Sequence, residues 1–274
     1  MRAGSVRVTL LGTGASAGVP QIGGVDGAGD WGVCDPLEPR NLRTRTSILV
    51  QSEVAGGVSS LLVDTSPDMR TQLLACRVAR ADAIFFTHAH ADHVTGLDDV
   101  RMLNRIAGRP LEAFGTQRTL DELQSRYGYA FRPWEPPGFF RPVMEPKALV
   151  PGETVDIQGV DVTVFDQDHG FTRSLGLRCR GFGYSTDAVT LDDAAFEILA
   201  GVDTWVVGCF QRHRPHKTHA WLDRVFEWTE RLKPRRTILT HMGPDMDWAW
   251  LGANLPDGIE PGFDGMVLDV DPVV

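Results

Sequence analysis

Short runs of apolar and β-branched residues recur along the chain and alternate with longer stretches of mixed polarity. Runs of four to eight such residues, bounded by polar or glycine-containing segments, are typical of buried strands. The pattern predicts strands at Val6 to Leu11, Thr46 to Gln51, Ser60 to Asp64, Ala83 to Thr87, Val160 to Phe165, Leu175 to Cys179, Thr204 to Gly208 and Arg236 to Thr240. Between the second and third runs, Val54-Ala55-Gly56-Gly57 predicts a hairpin loop, so part of the sheet is antiparallel.

Two stretches have the spacing of amphipathic helices. The first runs from Thr119 to Tyr127. The second runs from His219 to Leu232, with Thr218 as its N-cap and Lys233-Pro234 as its stop signal. Strands and helices in this arrangement predict a mixed α/β fold in which helices cover sheets.

Two other stretches predict long loops. Residues Gly18 to Asp35 are rich in glycine and aspartate, and Phe131 to Lys147 contains five prolines among aromatic side chains. Long loops in a compact domain are commonly functional. The second loop is interpreted either as a lid or pocket wall, or as an apolar surface segment packed for stability alone.

Composition limits the classes of protein to consider. The chain has 274 residues, of which 42% are hydrophobic, so one domain spanning residues 1–274 is expected. The N-terminus does not resemble a signal peptide, and no apolar run reaches membrane-spanning length. The four cysteines are scattered without a C-x-x-C pair, which favours free thiols and a cytoplasmic protein. A net charge of −9 opposes binding to large nucleic acids.

The strongest chemical signal is the sequence Thr87-His88-Ala89-His90-Ala91-Asp92-His93, directly after an apolar run. Three imidazoles and one carboxylate in six positions are ligands that suit zinc, manganese or iron. In extended chain His88 and His90 point to one side, so both can bind one ion. Asp92 and His93 lie where the chain turns, and they can reach a second ion nearby.

Three later residues supply further donors. His169, Asp187 and His241 each follow a β-like run, the position where open-sheet proteins commonly hold their functional groups. Each of them alone would more often be a hydrogen-bonded structural residue than a ligand. Their order along the chain, after the histidine motif, is what makes them candidates for a dinuclear metal site.

In this order the motifs resemble the metallo-β-lactamase fold superfamily. The resemblance covers nearly the whole chain and implies an αββα sandwich of two mixed β-sheets with two divalent metal ions at their edge. It implies that His88, His90 and His169 bind the first ion, that Asp92, His93 and His241 bind the second, and that Asp187 bridges both. It also implies that Asp64 supports the metal loop without binding an ion.

Within the superfamily, β-lactamases carry Arg where His93 stands and Cys in place of a bridging Asp, so lactam hydrolysis is not expected. Glyoxalase-II-like thioesterases add a helical domain, and ribonuclease Z needs a basic arm that this sequence does not show.

The sequence most resembles the cyclic phosphodiesterase family of bacterial phosphonate breakdown. Leu11 to Pro20, the histidine motif, Leu239 to Met242 and Pro261 to Met266 carry this resemblance. That family often has a structural zinc bound by several cysteines, whereas the corresponding loop here has only Cys34.

The resemblance implies a phosphodiesterase mechanism. Two metal ions share a hydroxide nucleophile, polarise a phosphoryl oxygen and stabilise the leaving oxygen. Asp92 and His219 are the predicted catalytic residues, with His219 at a helix N-terminus as phosphate ligand and proton donor. Arg43, Arg45 and Ser47 are predicted to bind substrate, because the two arginines enter a strand on one face; exposed salt bridges are the alternative.

Other functions stay open at this stage. The expected substrate is a small cyclic phosphate or nucleotide-like phosphodiester, with zinc as the first expectation for the metal and manganese or iron as alternatives. One alternative is a thioester or lactone hydrolase that uses the same two metals. Another is a nucleotide-binding protein that retains the fold without catalysis. No membrane partner is expected, and a homodimer stays open.

Overall fold

The computed structural model describes residues 5–136 and 138–270. The strands within these residues are β1 Val6–Gly12, β2 Ser47–Val54, β3 Gly57–Val63, β4 Ala83–Phe85, β5 Leu111–Thr116, β6 Met144–Leu149, β7 Thr154–Ile157, β8 Val160–Asp168, β9 Arg173–Cys179, β10 Phe182–Ser185, β11 Thr204–Gly208, β12 Arg236–Thr240, β13 Ile259–Pro261 and β14 Val267–Val270. The α-helices are α1 Met69–Ala75, α2 Ala91–Val94, α3 Val100–Ala107, α4 Gln117–Tyr127, α5 Asp193–Leu199, α6 Leu222–Leu232 and α7 Trp248–Asn254. None of the described helices is long and apolar enough to span a membrane.

The strands form two mixed sheets of seven strands each. The first has the order β14-β1-β2-β3-β4-β5-β6, and the second β13-β12-β11-β10-β9-β8-β7. In the first sheet, β14 to β3 pair antiparallel and β3 to β6 pair parallel. In the second, β10 to β13 pair parallel and β7 to β10 pair antiparallel.

Three apolar layers hold the sheets and helices together. The central layer lies between the sheets and includes Ile48 and Val50 from β2 with Val164 and Leu177 from the second sheet. Leu49, between the first two, points instead to the layer beneath α1, α3 and α4. A third layer packs α5, α6 and α7 on the second sheet. The molecule is therefore an αββα sandwich, and each fully buried aliphatic side chain contributes about 1.5–3 kcal/mol.

All eight predicted strands overlap an observed strand, and the hairpin between β2 and β3 is confirmed. The sequence pattern does not predict the strand at either edge of either sheet, namely β6, β7, β13 and β14. These strands are short or expose most of one face to solvent, so they lack an apolar run. Among the interior strands, β5 and β10 are also missed.

The predicted loop at 131–147 is partly wrong, because β6 begins at Met144. Within the loop the indole of Trp134 stacks on the ring of Phe139 with centroids 4.7 Å apart. Trp134 and Phe140 line a cavity of about 300 Å³ whose described lining includes no predicted metal ligand. Residue Pro137 of this loop lies outside the described residues.

The second predicted helix begins later than expected. Helix α6 starts at Leu222, after Trp221, whose backbone is extended at φ −127° and ψ 170°. The N–H of Leu222 donates to the carbonyl oxygens of Gln211 and Arg212, which hold the preceding residues against a neighbouring loop. His219 therefore lies in the irregular segment before the helix, and the prediction that it opens a helix capped by Thr218 is wrong.

Candidate metal centre

The predicted ligands meet at one edge of the two sheets. Strands β8, β10 and β12 run in the same direction, so their carboxyl ends lie side by side. The loop and short helix α2 that follow β4 approach them from the first sheet. The ligands from the first sheet are His88, His90, Asp92 and His93, and those from the second are His169, Asp187 and His241.

The ligand atoms form overlapping groups, within each of which they lie no more than 4.8 Å apart. One group is His88, His90 and His169; another is Asp92, His93 and His241. These are the two sets that the resemblance assigns to separate ions, and they contain the imidazole and carboxylate donors that divalent zinc, iron or manganese accepts.

Asp187 lies between the two groups. Its Oδ2 atom is 3.2 Å from Nε2 of His93, and its Oδ1 atom is 3.3 Å from Nε2 of His241 and 3.6 Å from Nε2 of His169. Asp187 also forms a group with His88 and His93. One carboxylate thus faces histidines of both sets, as a bridging ligand must.

Unpaired nitrogen atoms provide a test of whether this cluster fits metal ions. Nε2 of His88, Nε2 of His93 and both ring nitrogens of His241 are buried and make no hydrogen bond of good geometry with a described residue, although Asp187 lies 3.2 Å from Nε2 of His93 and 3.3 Å from Nε2 of His241. Buried polar atoms are nearly always paired, so several unpaired imidazole nitrogens at one point need an explanation. Metal ions coordinated by these nitrogens would satisfy them, and the donor set fits two such ions.

In the metal-free cluster, burial and neighbouring charges shift the pKa values of the histidines and of Asp187. Burial and the neighbouring His93 lower the pKa of His88 well below its usual value. Burial also opposes charge on His93, but the carboxylates of Asp187, Asp92 and Asp64 outweigh it and raise its pKa well above the usual value. For Asp187, burial is outweighed by His241 and His93, so its pKa falls well below its usual value. The cluster therefore holds a proton on His93 that a metal ion must displace.

Asp64 contacts two residues of the histidine motif, Thr87 and His93. Its Oδ2 atom is 2.6 Å from Nδ1 of His93, and Thr87 donates to the same carboxylate from its backbone N–H and its hydroxyl, both at 2.8 Å. Burial raises the pKa of Asp64, against the opposing effects of His93 and Thr87. This bond fixes the ring so that Nε2 of His93 points into the cluster.

Three residues of the site have left-handed backbone. Asp64, Asp187 and His241 have φ of 64°, 52° and 53°, a region that residues with a side chain rarely adopt. Each lies directly after a strand or two residues beyond it. Such conformations persist where the surrounding structure enforces them, and they cluster at functional sites.

His219 lies over the cluster on the side of the second sheet. Its Nδ1 atom is 3.5 Å from Oδ1 of Asp187, and its ring centroid is 4.8 Å from those of His169 and His241. It also forms a possible ligand group with His169 and Asp187. Burial, followed by the nearby His241, lowers the pKa of His219 to about 3, so its imidazole is neutral in the free site.

The structure does not bring the predicted substrate-binding residues to the cluster. Arg43 is 1% exposed, and its guanidinium donates to the carbonyl oxygen of Met246 at 2.7 Å. Ser47 is buried and donates to the carbonyl oxygen of Val63. Arg45 is paired with Asp68, whose Oδ2 lies 3.1 Å from its Nε.

Arg43 and Ser47 are therefore not available to bind a phosphate. No hydrogen bond or ion pair joins any of these three side chains to a predicted ligand in the part of the chain that the structure describes. Both arginines precede β2, which begins at Ser47, rather than lie within it.

Some supporting contacts come from residues that the sequence does not single out. The carbonyl oxygen of Thr218 lies 2.7 Å from Nδ1 of His169 and holds that ring in place. The backbone of Met242, next to His241, pairs with Thr13 and Ala15 after β1. A Cβ atom on Gly14 would lie 2.8 Å from the carbonyl oxygen of Arg43, so a glycine allows this close approach.

Comparison with known proteins agrees with this architecture. A family model described as a β-lactamase superfamily domain matches residues 60–242, which is more than half of the chain and includes every predicted metal ligand. The chain belongs to this superfamily. Its fold is that of the metallo-β-lactamase members.

Three proteins resemble this chain over nearly its whole length. A crystal structure described as a new diphosphatase of the PhnP family is 33% identical, with a TM-score of 0.85, and the match covers 98% of this chain and 99% of that one. The zinc-bound PqqB of Methylobacterium extorquens is 17% identical, with a TM-score of 0.70, over 96% of this chain and all of that one, and it shows the fold alone.

The third relative is an octanoyltransferase of Porphyromonas gingivalis, 27% identical over 97% of this chain and 52% of that protein. The chain thus spans about half the length of this curated relative.

Proposed function

We propose that this chain is a hydrolase that uses two divalent metal ions to cleave a small phosphodiester. One observation carries the proposal: two sets of histidine and carboxylate ligands converge on Asp187 while His219, which belongs to neither set, lies 3.5 Å from that carboxylate. Two ions held by these residues would supply a nucleophilic hydroxide and positive charge for the phosphoryl oxygens. The proposal takes residues 1–274 as one hydrolase domain, with zinc, manganese or iron as the metal.

In this proposal the chain's own residues have distinct tasks. His88, His90 and His169 would hold one ion, Asp92, His93 and His241 would hold the other, and Asp187 lies where it could serve both. His219 donates a hydrogen bond to the phosphate and then a proton to the leaving oxygen. The negative charge of the bound phosphate raises the pKa of His219 from the low value of the free site, which makes this proton available.

Phosphorus chemistry is supported by a full-length likeness at 33% identity, because the similar structure is described as a diphosphatase. Acyl chemistry is the second candidate, because a curated relative is named an octanoyltransferase. That relative is about twice as long as the stretch this chain matches.

A direct assay separates the two candidates. The purified chain, reconstituted in turn with zinc, manganese and iron(II), is given bis-p-nitrophenyl phosphate and, in parallel, a panel of acyl thioesters. Metal-dependent release of nitrophenol, with slower or absent thioester cleavage, is the expected result. Faster cleavage of thioesters under the same metal would reject phosphodiester hydrolysis in favour of acyl chemistry. Binding of a nucleotide without any turnover would support a non-catalytic member of the superfamily.

A further inference from the structure

His90 is the least protected of the five histidines predicted to bind metal. It is exposed, whereas the other four are buried. Three of those four rings also have a hydrogen-bond partner outside the ligand set, namely Thr87 for His88, Asp64 for His93 and the carbonyl oxygen of Thr218 for His169. The fourth, His241, is 1% exposed, so packing restrains it. The ring of His90 therefore has neither the burial nor the outside partner that orients a metal ligand.

The side chain of His90 contacts another predicted ligand instead. Its Nδ1 atom lies 3.2 Å from Nε2 of His169, the one side-chain hydrogen-bond contact of His90 among the described residues. A contact between two ligands cannot orient either ring once both bind the same ion. His90 is also the N-cap residue of α2, and its side chain makes no capping bond. The placement of this imidazole must therefore come from its backbone.

The backbone before His90 is held from two directions. The carbonyl oxygen of Thr87 accepts a hydrogen bond from the N–H of Leu175 in β9 at 2.9 Å. The carbonyl oxygen of Ala89 accepts a hydrogen bond from Nη1 of Arg126, in the last turn of α4. Ala89 is 7% exposed, and its carbonyl group belongs to the peptide unit that joins it to His90. Arg126 thus contacts the peptide group from which His90 projects.

A second hydrogen bond fixes the guanidinium of Arg126. Its Nη2 atom donates to Oε2 of Glu122, four residues earlier in α4, at 2.9 Å. The N–H groups of a guanidinium form a rigid planar fork, so the bond to Glu122 also sets the direction in which Nη1 points. Glu122 further offsets the positive charge that Arg126 would bring towards a metal cation. An exposed ion pair contributes little by itself, so the bond to Ala89 gives this pair its structural consequence.

We propose that Arg126 is a positioning residue for His90. It holds the Ala89–His90 peptide so that the exposed imidazole faces His88 and His169 before an ion arrives. The inference rests on the proposed function only in taking the cluster to bind two ions. An exposed ligand that is not held must be ordered when the ion binds, and that ordering lowers affinity. The effect should be confined to the ion assigned to His88, His90 and His169.

Two substitutions on the same helix test this role. Arg126→Met removes the charge and both donors but keeps an unbranched side chain, and Arg126→Lys keeps the charge with a single ammonium group. Arg118→Met is the matched control, because Arg118 pairs with the same Glu122 at 3.5 Å but makes no hydrogen bond to residues 87–93 in the part of the chain that the structure describes. Circular dichroism establishes that each variant is folded.

Zinc affinity is measured by competition with a chelator. We expect Arg126→Met to weaken one of the two ions by about 10- to 100-fold, as loss of a group that orients a ligand does. The other ion should change by less than about twofold, and Arg118→Met should change neither by more. Arg126→Lys should weaken the same ion less than Arg126→Met does. Equal zinc affinities in Arg126→Met and the unsubstituted protein, or the same loss in Arg118→Met, would overturn the proposal.

A double substitution determines whether Arg126 acts through His90. His90→Ala removes the imidazole itself, so adding Arg126→Met should then weaken zinc binding by no more than about twofold further. A residue that merely stabilised α4 would weaken binding by the same factor with and without His90, and that result would also reject the positioning role. These titrations contain no substrate, so a chain that binds two zinc ions but cleaves no phosphodiester would refute the proposed function alone. Absence of zinc binding to the unsubstituted protein would refute both.

Discussion

Two arginine-bearing surfaces flank the metal centre, and they use their charges differently. On the side of the first sheet, Arg118, Arg126 and Arg173 line a cavity of about 270 Å³ together with His88 and His90. These three residues are called the arginine rim below. On the side of the second sheet lies the basic loop, residues 211–217, next to His219.

The difference lies in the partners of the guanidinium groups. Arg118 and Arg126 both pair with Glu122, at 3.5 Å and 2.9 Å, and Arg173 pairs with Asp166 at 2.6 Å. In the basic loop Arg214 has no such partner among the described residues. A carboxylate beside an arginine offsets part of its positive charge, so a paired arginine attracts an anion less than an unpaired one. The exposed pair itself contributes only about 0.2–1 kcal/mol.

The largest effect on metal binding and turnover is expected from substitution of Asp187, which lies between the two ligand groups. Asp187→Ala removes the carboxylate that faces His93, His169 and His241, so we expect the protein to lose at least one of its two ions and nearly all turnover. Elemental analysis after dialysis measures the metal content. Asp161→Ala, on an exposed position of β8, is the matched control and should retain both ions. Two full equivalents in Asp187→Ala would contradict the bridging assignment.

Substitution of His219 should lower turnover without loss of metal. His219→Ala is expected to retain both ions but to lower kcat on a phosphodiester by about 10²- to 10⁴-fold, the range for loss of a general acid. Steady-state kinetics with bis-p-nitrophenyl phosphate measure this effect. Unchanged kcat would remove His219 from the mechanism, and a parallel loss of metal would instead make it a ligand, as its grouping with His169 and Asp187 allows.

Substitution of Asp64 should lower metal affinity through the orientation of His93. Asp64→Asn weakens the bond that orients His93, so we expect metal affinity to fall by about 10- to 100-fold. A competition titration with a chelator measures the affinity. Asp82→Asn changes another buried aspartate, which instead accepts from the N–H of Ser60, and it should leave metal binding unchanged. Equal affinities in the two variants would exclude Asp64 as a support of the site.

The pH dependence of metal binding should follow from the raised pKa of His93. Below that pKa the metal-free protein carries a proton on His93 that an ion must displace, so affinity should rise by about tenfold per pH unit for each proton displaced. The free energy of unfolding of the metal-free protein should change in the opposite direction and fall as the pH rises. The contribution of protonated His93 is fully present below the unfolded pKa of about 6.5 and is lost as the pH rises through the folded value.

Chelator titrations and denaturant unfolding between about pH 6 and pH 9 test both signs. Metal affinity that does not vary with pH would show that His93 is already neutral in the metal-free protein.

The smallest expected effect is on the arginine rim. Glu122→Gln removes the partner of Arg118 and Arg126. Exposed pairs of this kind contribute about 0.2–1 kcal/mol, so the free energy of unfolding should change by no more than that. Urea unfolding at low and high salt measures the change, which should disappear at high salt. A larger, salt-independent loss would show that the rim pairs are part of the packed structure.

Much of the fold could be predicted from the chain because the strands buried on both faces are continuous apolar runs. The edge strands could not be predicted in this way because they lack a continuous apolar run. Strand β6, for example, has four exposed residues between buried ends. The convergence of the predicted ligands could be expected because His169 and His241 each directly follow a strand and Asp187 comes two residues after one. The start of α6 could not be predicted, because it depends on hydrogen bonds from the N–H of Leu222 to the carbonyl oxygens of Gln211 and Arg212, which form only in the folded chain.

The sequence by itself determined the type, number and order of the candidate metal ligands, and their positions after strands. The tertiary structure alone decided which charged residues face the centre. Arg43 and Arg45 looked like a phosphate clamp in the sequence, but the first is buried against Met246 and the second is paired with Asp68. Arg214 and Lys217 carry the same charge and remain exposed beside the site. Residue type fixes which ligand a side chain prefers, whereas burial and pairing, which depend on the whole chain, fix whether it can bind one.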